Sequence, residues 1–293
     1  NTAAPGLPLN PDIADTSVRS SENWRLVVSW ERPTDVGAGV SHYEVFRSLD
    51  GVTFSKAGST GGSSYVDTGL DQVGYFYKVR ACDSANNCGA FGPVVDETPT
   101  GRYTSPPLIT NTGGAPIISN IQTRSVEISW STDRNSDSKV AFGTAPGVYG
   151  NTEAYKSQQT TDHKIILDSL IPGTTYFFVV RWTDTDGNTG SSAELVFVTL
   201  PPPTVQDVSA IGIGLTSSTI QYTTTGVTSV KIYYGQTSGF GAVIESPTST
   251  STSTYLAQLK DLRDGTKYFY KVNTFDASGF EYDGTTLSFD TPP

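Results

Sequence analysis

The chain has 293 residues, 19 Lys and Arg against 29 Asp and Glu, and a formal net charge of −10. The cations are spread evenly, 8 against 12 anions over residues 1–103, 6 against 9 over 104–200 and 5 against 8 over 201–293, so no module has the clustered positive charge that binding nucleic acid or an anionic membrane requires. No apolar run reaches the ~18 residues a membrane span needs, and 15 Tyr and 13 Phe, with Gly and Pro throughout and no helical period, give an all-β chain.

In chain order, a Pro-rich stretch, Ala3-Ala-Pro-Gly-Leu-Pro-Leu-Asn-Pro11, comes first and is expected to reach a neighbour's sheet edge by strand addition. Alternating strands follow at Leu26-Val-Val-Ser-Trp30, Tyr43-Glu-Val-Phe46 and Tyr75-Phe-Tyr-Lys-Val-Arg-Ala81. Cys82 and Cys88 stand six residues apart across a polar turn. A disulfide in an oxidising compartment is the favoured reading, with two buried thiols as the alternative. A Pro-containing linker through Ser105-Pro-Pro-Leu108 leads to strands at Val126-Glu-Ile-Ser-Trp130, Lys139-Val-Ala-Phe-Gly143, Lys164-Ile-Ile-Leu167 and Tyr176-Phe-Phe-Val-Val-Arg-Trp182. Pro201-Pro-Pro203, stiff because consecutive prolines favour an extended helix, is expected to fix an angle before the last third. That third has strands at Thr219-Ile-Gln-Tyr222, Val230-Lys-Ile-Tyr-Tyr-Gly235 and Tyr268-Phe-Tyr-Lys-Val-Asn-Thr274. The run Thr248-Ser-Thr-Ser-Thr-Ser-Thr254 reads as an edge strand with its hydroxyls outward, or as a flexible or O-glycosylated loop. With no Met and no leader ahead of Asn1, the N-terminus is expected to be a processed or excised one.

The separations Trp30 to Tyr75, Trp130 to Tyr176 and Tyr222 to Tyr268 are 45, 46 and 46 residues. A two-residue period puts alternate side chains on one face, and such a face needs a second sheet to cover it. The chain therefore divides into three β-sandwiches, 1–103, 104–200 and 201–293. Before each second strand lies a matching turn: Leu170-Ile-Pro-Gly-Thr-Thr-Tyr176 and Leu262-Arg-Asp-Gly-Thr-Lys-Tyr268, with Leu70-Asp-Gln-Val-Gly-Tyr75 one residue shorter. On these residues the chain resembles tandem fibronectin type III (immunoglobulin-like) modules of the kind found in exported bacterial proteins. The resemblance implies that Trp30, Trp130 and Tyr222 are core aromatics of strand B. It also implies that Tyr75, Tyr176 and Tyr268 form tyrosine corners, each hydroxyl bonding back to nearby backbone. The second and third modules are also similar to the non-catalytic N-terminal domain of purple acid phosphatases, whose metal-binding catalytic part has no counterpart here.

No catalytic or cofactor-binding constellation emerges. His42 and His163 are the only histidines, and both are read as solvated residues at strand ends. Asp184, Asp186 and Asn188 alternate like the start of a calcium loop, but Leu195 stands where the bidentate Glu belongs, so the segment is read as a hairpin turn and not a metal site. Trp24, Trp182, Phe240 and Tyr282 lie outside the clearest core positions, either stacking on sugars or capping their own sandwiches. The expectation is a non-enzymatic segment, extracellular or at the cell surface, acting as a spacer, surface-layer or filament scaffold. Its partners would be other protein modules or copies of itself. The alternative is an accessory spacer or weak carbohydrate-binding region of a secreted polysaccharide-degrading enzyme, with polysaccharide as partner.

Overall fold

The computed structural model describes residues 3–34, 39–150, 153–227, 229–246 and 254–293; all but the last residue of the 248–254 run falls outside them. The described residues are strands and turns with one short 3-10 helix at Arg19–Ser21. No helix among them is long and apolar enough to cross a membrane.

In the first third, β1 (Leu9–Asp15), β2 (Arg25–Glu31) and β5 (Ser64–Thr68) make a three-stranded sheet. Facing it, β4 (Ser55–Thr60), β3 (His42–Ser48), β6 (Tyr75–Cys82) and β7 (Val95–Glu97) make a four-stranded one in that order. Alternation sets what lies between them: Leu26, Val28 and Trp30 of β2 face inward, as do Tyr75, Tyr77, Val79 and Ala81 of β6, and all seven are buried in one cluster. The Pro-rich start does not stand away from this module. A Cβ at Gly89 would lie 1.9 Å from the Pro5 carbonyl oxygen and one at Gly92 would lie 2.9 Å from that of Pro8, so both glycines admit the segment along their own module.

The last third repeats the plan. β14 (Thr204–Ile211), β15 (Ser218–Thr225) and β18 (Thr254–Leu259) face a sheet of β17 (Ala242–Ser246), β16 (Ser229–Gly235), β19 (Lys267–Phe275) and β20 (Glu281–Tyr282), with β21 (Leu287–Asp290) also paired to β19. Tyr222, Ile220, Ile232, Tyr270 and Val272 are buried between them.

The middle third departs from the expected outline. Its strands are β8 (Ile117–Ser119), β9 (Val126–Gly143), β10 (Ala154–Leu167), β11 (Thr175–Thr183), β12 (Thr189–Ser191) and β13 (Leu195–Val198). The blocks at 126–130 and 139–143 are one 18-residue strand, β9. Its first part pairs with β8 and the end of β10; its last part pairs with β11 and the start of β10. One strand thus serves both layers, because the stretch from Thr132 to Ser138 contains no Gly or Pro to break it. Val126, Ile128 and Trp130 still meet Tyr176, Phe178 and Val180 in a buried cluster.

Three hydrophobic clusters result, although the chain packs into two compact units. The first unit is Asn1–Pro106 with Asp186–Asn188, and the second is Pro107–Thr185 with Thr189–Pro293, which holds two of the clusters. Trp30, Trp130 and Tyr222 are all buried. Tyr75 accepts a hydrogen bond from the Asp71 N–H at 3.0 Å, Tyr176 from Ile171 at 2.9 Å and Tyr268 from Arg263 at 2.9 Å, so each hydroxyl pins the turn ahead of its strand.

The expectation for His163 is overturned. It is 2% exposed, because β10 continues through it and its inward face carries His163, Ile165 and Leu167 while Lys164 and Ile166 face out. The imidazole stacks on Trp130, with centroids 4.8 Å apart. Nδ1 lies 2.8 Å from Ser138 Oγ and Nε2 lies 2.9 Å from Thr132 Oγ1. Burial lowers its pKa to about 4, against the opposing influence of Asp162 and Asp137.

Both the corner and the buried imidazole can be tested by unfolding. Tyr176→Phe should leave the Ile171 N–H without its acceptor and cost the second module about 1–2 kcal/mol in urea unfolding; an unchanged midpoint would show that the corner carries no net stability. For His163 the unfolded chain takes up a proton near pH 6.5, before the folded one does. Its contribution is therefore complete above pH 6.5 and falls as the pH drops toward 4, by up to about 3 kcal/mol. His163→Gln should flatten that part of the stability profile, and a profile of unchanged slope would refute the assignment.

Candidate functional site

The buried histidine carries no hydrolytic site. Both ring nitrogens are engaged by hydroxyls in the core, and Thr132, Ser136 and Ser138 are themselves buried. His42, Glu44 and Cys82 bring ligand-type atoms within 4.8 Å of one another, but Cys82 is bonded to Cys88 in a disulfide, which removes the thiolate a metal would need.

Asp184, Asp186 and Asn188 do not present a shared cradle. The Asp184 carboxylate accepts from Arg134 at 3.1 Å. Asp186 Oδ2 accepts from the Tyr103 N–H at 2.8 Å, and Asn188 Nδ2 donates to the Tyr103 carbonyl at 2.9 Å. A guanidinium at Asp184 takes the place a cation would occupy. The equivalent carboxylates elsewhere organise turns: Asp83 accepts from the N–H groups of Ala85 and Asn87, and Asp276 from those of Ser278 and Phe280.

The four aromatics outside the core positions divide. Trp182 is 4% exposed, and its indole N–H donates to the Pro107 carbonyl at 2.9 Å, so no sugar can reach its face. Trp24 packs against the first module's core and over Gly101, where a Cβ would lie 2.8 Å from the ring. Tyr282 and Phe240 are only partly covered and belong to two arrangements of charge and ring.

The first lies within the second unit, around Arg124. This residue sits in the loop between β8 and β9, and its carbonyl accepts from the Leu170 N–H. Its guanidinium carbon lies 3.7 Å from the Phe280 ring centroid, and Nε donates to Tyr282 Oη at 3.2 Å. Tyr282 in turn donates to Asp276 at 3.0 Å. Burial pushes the Asp276 carboxyl up, but hydrogen bonds from Ser278, Phe280 and Tyr282 outweigh it and hold the group ionised. A crevice of 630 Å³ opens beside this contact, lined by Arg124, Ile166, Asp168, Ser169, Ser278 and Phe280 among others, with Phe280 46% exposed. Arg124 already covers the ring, which leaves little aromatic face for a ligand.

The second arrangement is the outer face of the sheet that carries β3 and β6. Phe76, Lys78 and Arg80 of β6 point away from the core. Lys78 Nζ sits 4.0 Å from the Phe54 centroid and 4.4 Å from that of Phe91. Arg80 lies over Phe46 and Phe91, whose rings meet edge-on at 5.0 Å. Glu44 is shared by Lys56 at 2.6 Å and Arg80 at 2.7 Å, and the hydrogen bonds from these two cations lower its pKa. β19 repeats the theme: Lys271 lies over Tyr233 and Phe240, at 5.2 and 5.5 Å, and ion-pairs with Asp283 at 2.5 Å. Counting charges per module does not reveal these faces. Only the i, i+2 spacing of Lys78 and Arg80 on an alternating strand hints at one.

The family model described as "Purple acid Phosphatase, N-terminal domain" matches residues 116–199. Endoglucanase B of Cellulomonas fimi is 29% identical over 263 residues, 86% of this chain and 24% of that protein. Exoglucanase B of the same species is 31% identical over 233 residues, 78% of this chain and 20% of that protein. Chitinase C of Streptomyces lividans is 37% identical over 100 residues, 34% of this chain and 14% of that protein. The chain thus spans about a quarter or less of the length of each of these relatives. With the paired sheets, the repeated aromatic cores and these likenesses together, the chain is a tandem array of three fibronectin type III-like β-sandwich modules, similar to those of exported bacterial proteins.

Proposed function

We propose that the chain is the accessory spacer region of an exported polysaccharide-degrading enzyme, with modules at 1–103, 104–200 and 201–293, and that the hydrolytic chemistry belongs to another part of that enzyme. The observation that carries this reading is that an endoglucanase, an exoglucanase and a chitinase each align with the chain over only a minor part of their own length. The described residues fit it: the hydroxyls that meet an imidazole, Thr132 and Ser138 on His163, are buried in a core where no polymer reaches them. None of these three relatives supports the surface-layer or filament reading, and it gives way to the spacer.

A spacer needs some joints held at fixed angles. Arg124 supplies one inside the second unit, by a cation–aromatic contact and a charge-assisted hydrogen bond that reach across 158 positions of sequence.

The purified chain should release no reducing sugar from cellulose or chitin. Deleting it from a parent enzyme should leave hydrolysis of a soluble substrate within about twofold and lower that of an insoluble one several-fold, because reach matters only where the substrate cannot diffuse. Hydrolysis by the chain alone, or filaments seen by electron microscopy, would overturn the reading. Arg124→Ala should broaden the distance distribution between spin labels placed in the second and third modules without unfolding either. An unchanged distribution would show that the prolines alone set the angle.

A further inference from the structure

We propose that the outer face of β3, β4 and β6 in the first module is a binding site for a carboxylated polysaccharide, with Lys78 as the group that meets the carboxylate. The proposal rests on the polysaccharide-enzyme reading above and adds a ligand class and a place to it.

The chain carries its own comparison. Lys78 and Lys271 hold the same position in the repeated strands Tyr75-Phe-Tyr-Lys-Val79 and Tyr268-Phe-Tyr-Lys-Val272. Across the sheet, Phe46 is in register with Lys78 as Tyr233 is with Lys271. The following strands align as well. The Gly92 N–H donates to the Val79 carbonyl at 2.8 Å, and Gly284 packs so closely on the Val272 carbonyl that a Cβ would lie 2.1 Å from it. The residues just before these glycines, Phe91 and Asp283, each reach the lysine of their own module's strand, Phe91 as a ring 4.4 Å from Lys78 Nζ and Asp283 as the ion-pair partner of Lys271.

In the third module Asp283 neutralises Lys271, and Asn273 donates to both Asp283 and Glu281. In the first module a ring stands where that carboxylate would be. Among the described residues Lys78 has no acidic partner within ion-pair distance, and it is held between two phenyl rings. Asn273 is replaced by Arg80, whose carboxylate, Glu44, is already shared with Lys56. The face so formed carries Lys56, Lys78 and Arg80 against Glu44 and against Asp96, which lies across from Phe76.

A cation fixed by aromatic rings has little further freedom to lose on binding. An external carboxylate supplies what Asp283 supplies in the third module, while the edges of Phe46, Phe54 and Phe91 offer apolar contact to the ring carbons of a sugar. Three cations beside two carboxylates fall short of the stripe that displaces counterions from a nucleic acid.

The test is binding of the full chain to immobilised polygalacturonate at low ionic strength, with neutral cellulose and polyglutamate as comparators. Binding is expected to polygalacturonate, to weaken with added salt, and to fall about tenfold in Lys78→Gln. Phe91→Asp, which places a carboxylate where Asp283 stands in the third module, should abolish it. Lys271→Gln should leave it unchanged, and thermal melting should show all three variants folded. No binding, or equal losses in Lys78→Gln and Lys271→Gln, would overturn the proposal. Equal, Lys78-dependent binding to polyglutamate would also overturn it, since charge alone would then be read. If deletion of the chain from a parent enzyme still impaired attack on an insoluble substrate while these assays failed, the binding site would be lost and the spacer reading would stand.

Discussion

Every module depends on one contact: a large aromatic on one layer closing against the alternating inward residues of the facing layer. Trp30, Trp130 and Tyr222 are buried opposite the inward residues of β6, β11 and β19. Burying one such side chain contributes about 1.5–3 kcal/mol or more. That gain is available only if the strand keeps its parity, because a one-residue slip would turn every inward side chain outward. The tyrosine corners fix the parity by tying the start of each of these strands to the turn before it.

Once parity is fixed, the outward residues of the same strands are free to vary, and the modules differ there. Position 78 is a lysine between two rings, position 271 a lysine held by a carboxylate, and the matching residue of the second module is the buried Val179. The inner faces are near copies while the outer ones carry different chemistry. In a tandem array, a constant interior and a variable exterior let joints and binding faces change without unfolding the scaffold. Arg124 shows the same logic at a joint, since a loop residue of one sandwich takes its partners from the turn and short strand that follow β19 in another.

The all-β class, the threefold repeat and the buried aromatics were legible because each rests on spacing within about 50 residues. Three features were not. The Ile165-Ile166-Leu167 run is apolar at every position, so it hides which residues face inward; the clue was Lys164, whose charge belongs outside and thereby sends His163 in. The single long β9 looked like two strands because its middle, Asp133-Arg-Asn-Ser-Asp137, is polar and turn-like in composition. In the structure Ser136, Asp137 and Ser138 are buried and hydrogen-bonded, with Asp137 accepting from Thr183 and Ser138 meeting His163. The Lys78 face was invisible because its rings come from three separate segments, around Phe46, Phe54 and Phe91, that only the sheet brings together.

Asp184, which invites a metal reading by its spacing, holds the same place in its module as two other aspartates. Asp83, Asp184 and Asp276 begin the three turns that follow β6, β11 and β19. Asp83 and Asp276 spend their acceptor capacity on turn N–H groups, and Asp184 spends its own on Arg134. A carboxylate so saturated is a poor base and a poor ligand, because any cation or proton must first displace hydrogen bonds already made. The groups with unspent capacity lie instead on the outer sheet faces, where a cation and aromatic rings are fixed in place and a carboxylate is the one element missing. As the proposed spacer, such a scaffold would hold and touch a polymer, and the cutting would belong to another part of the enzyme.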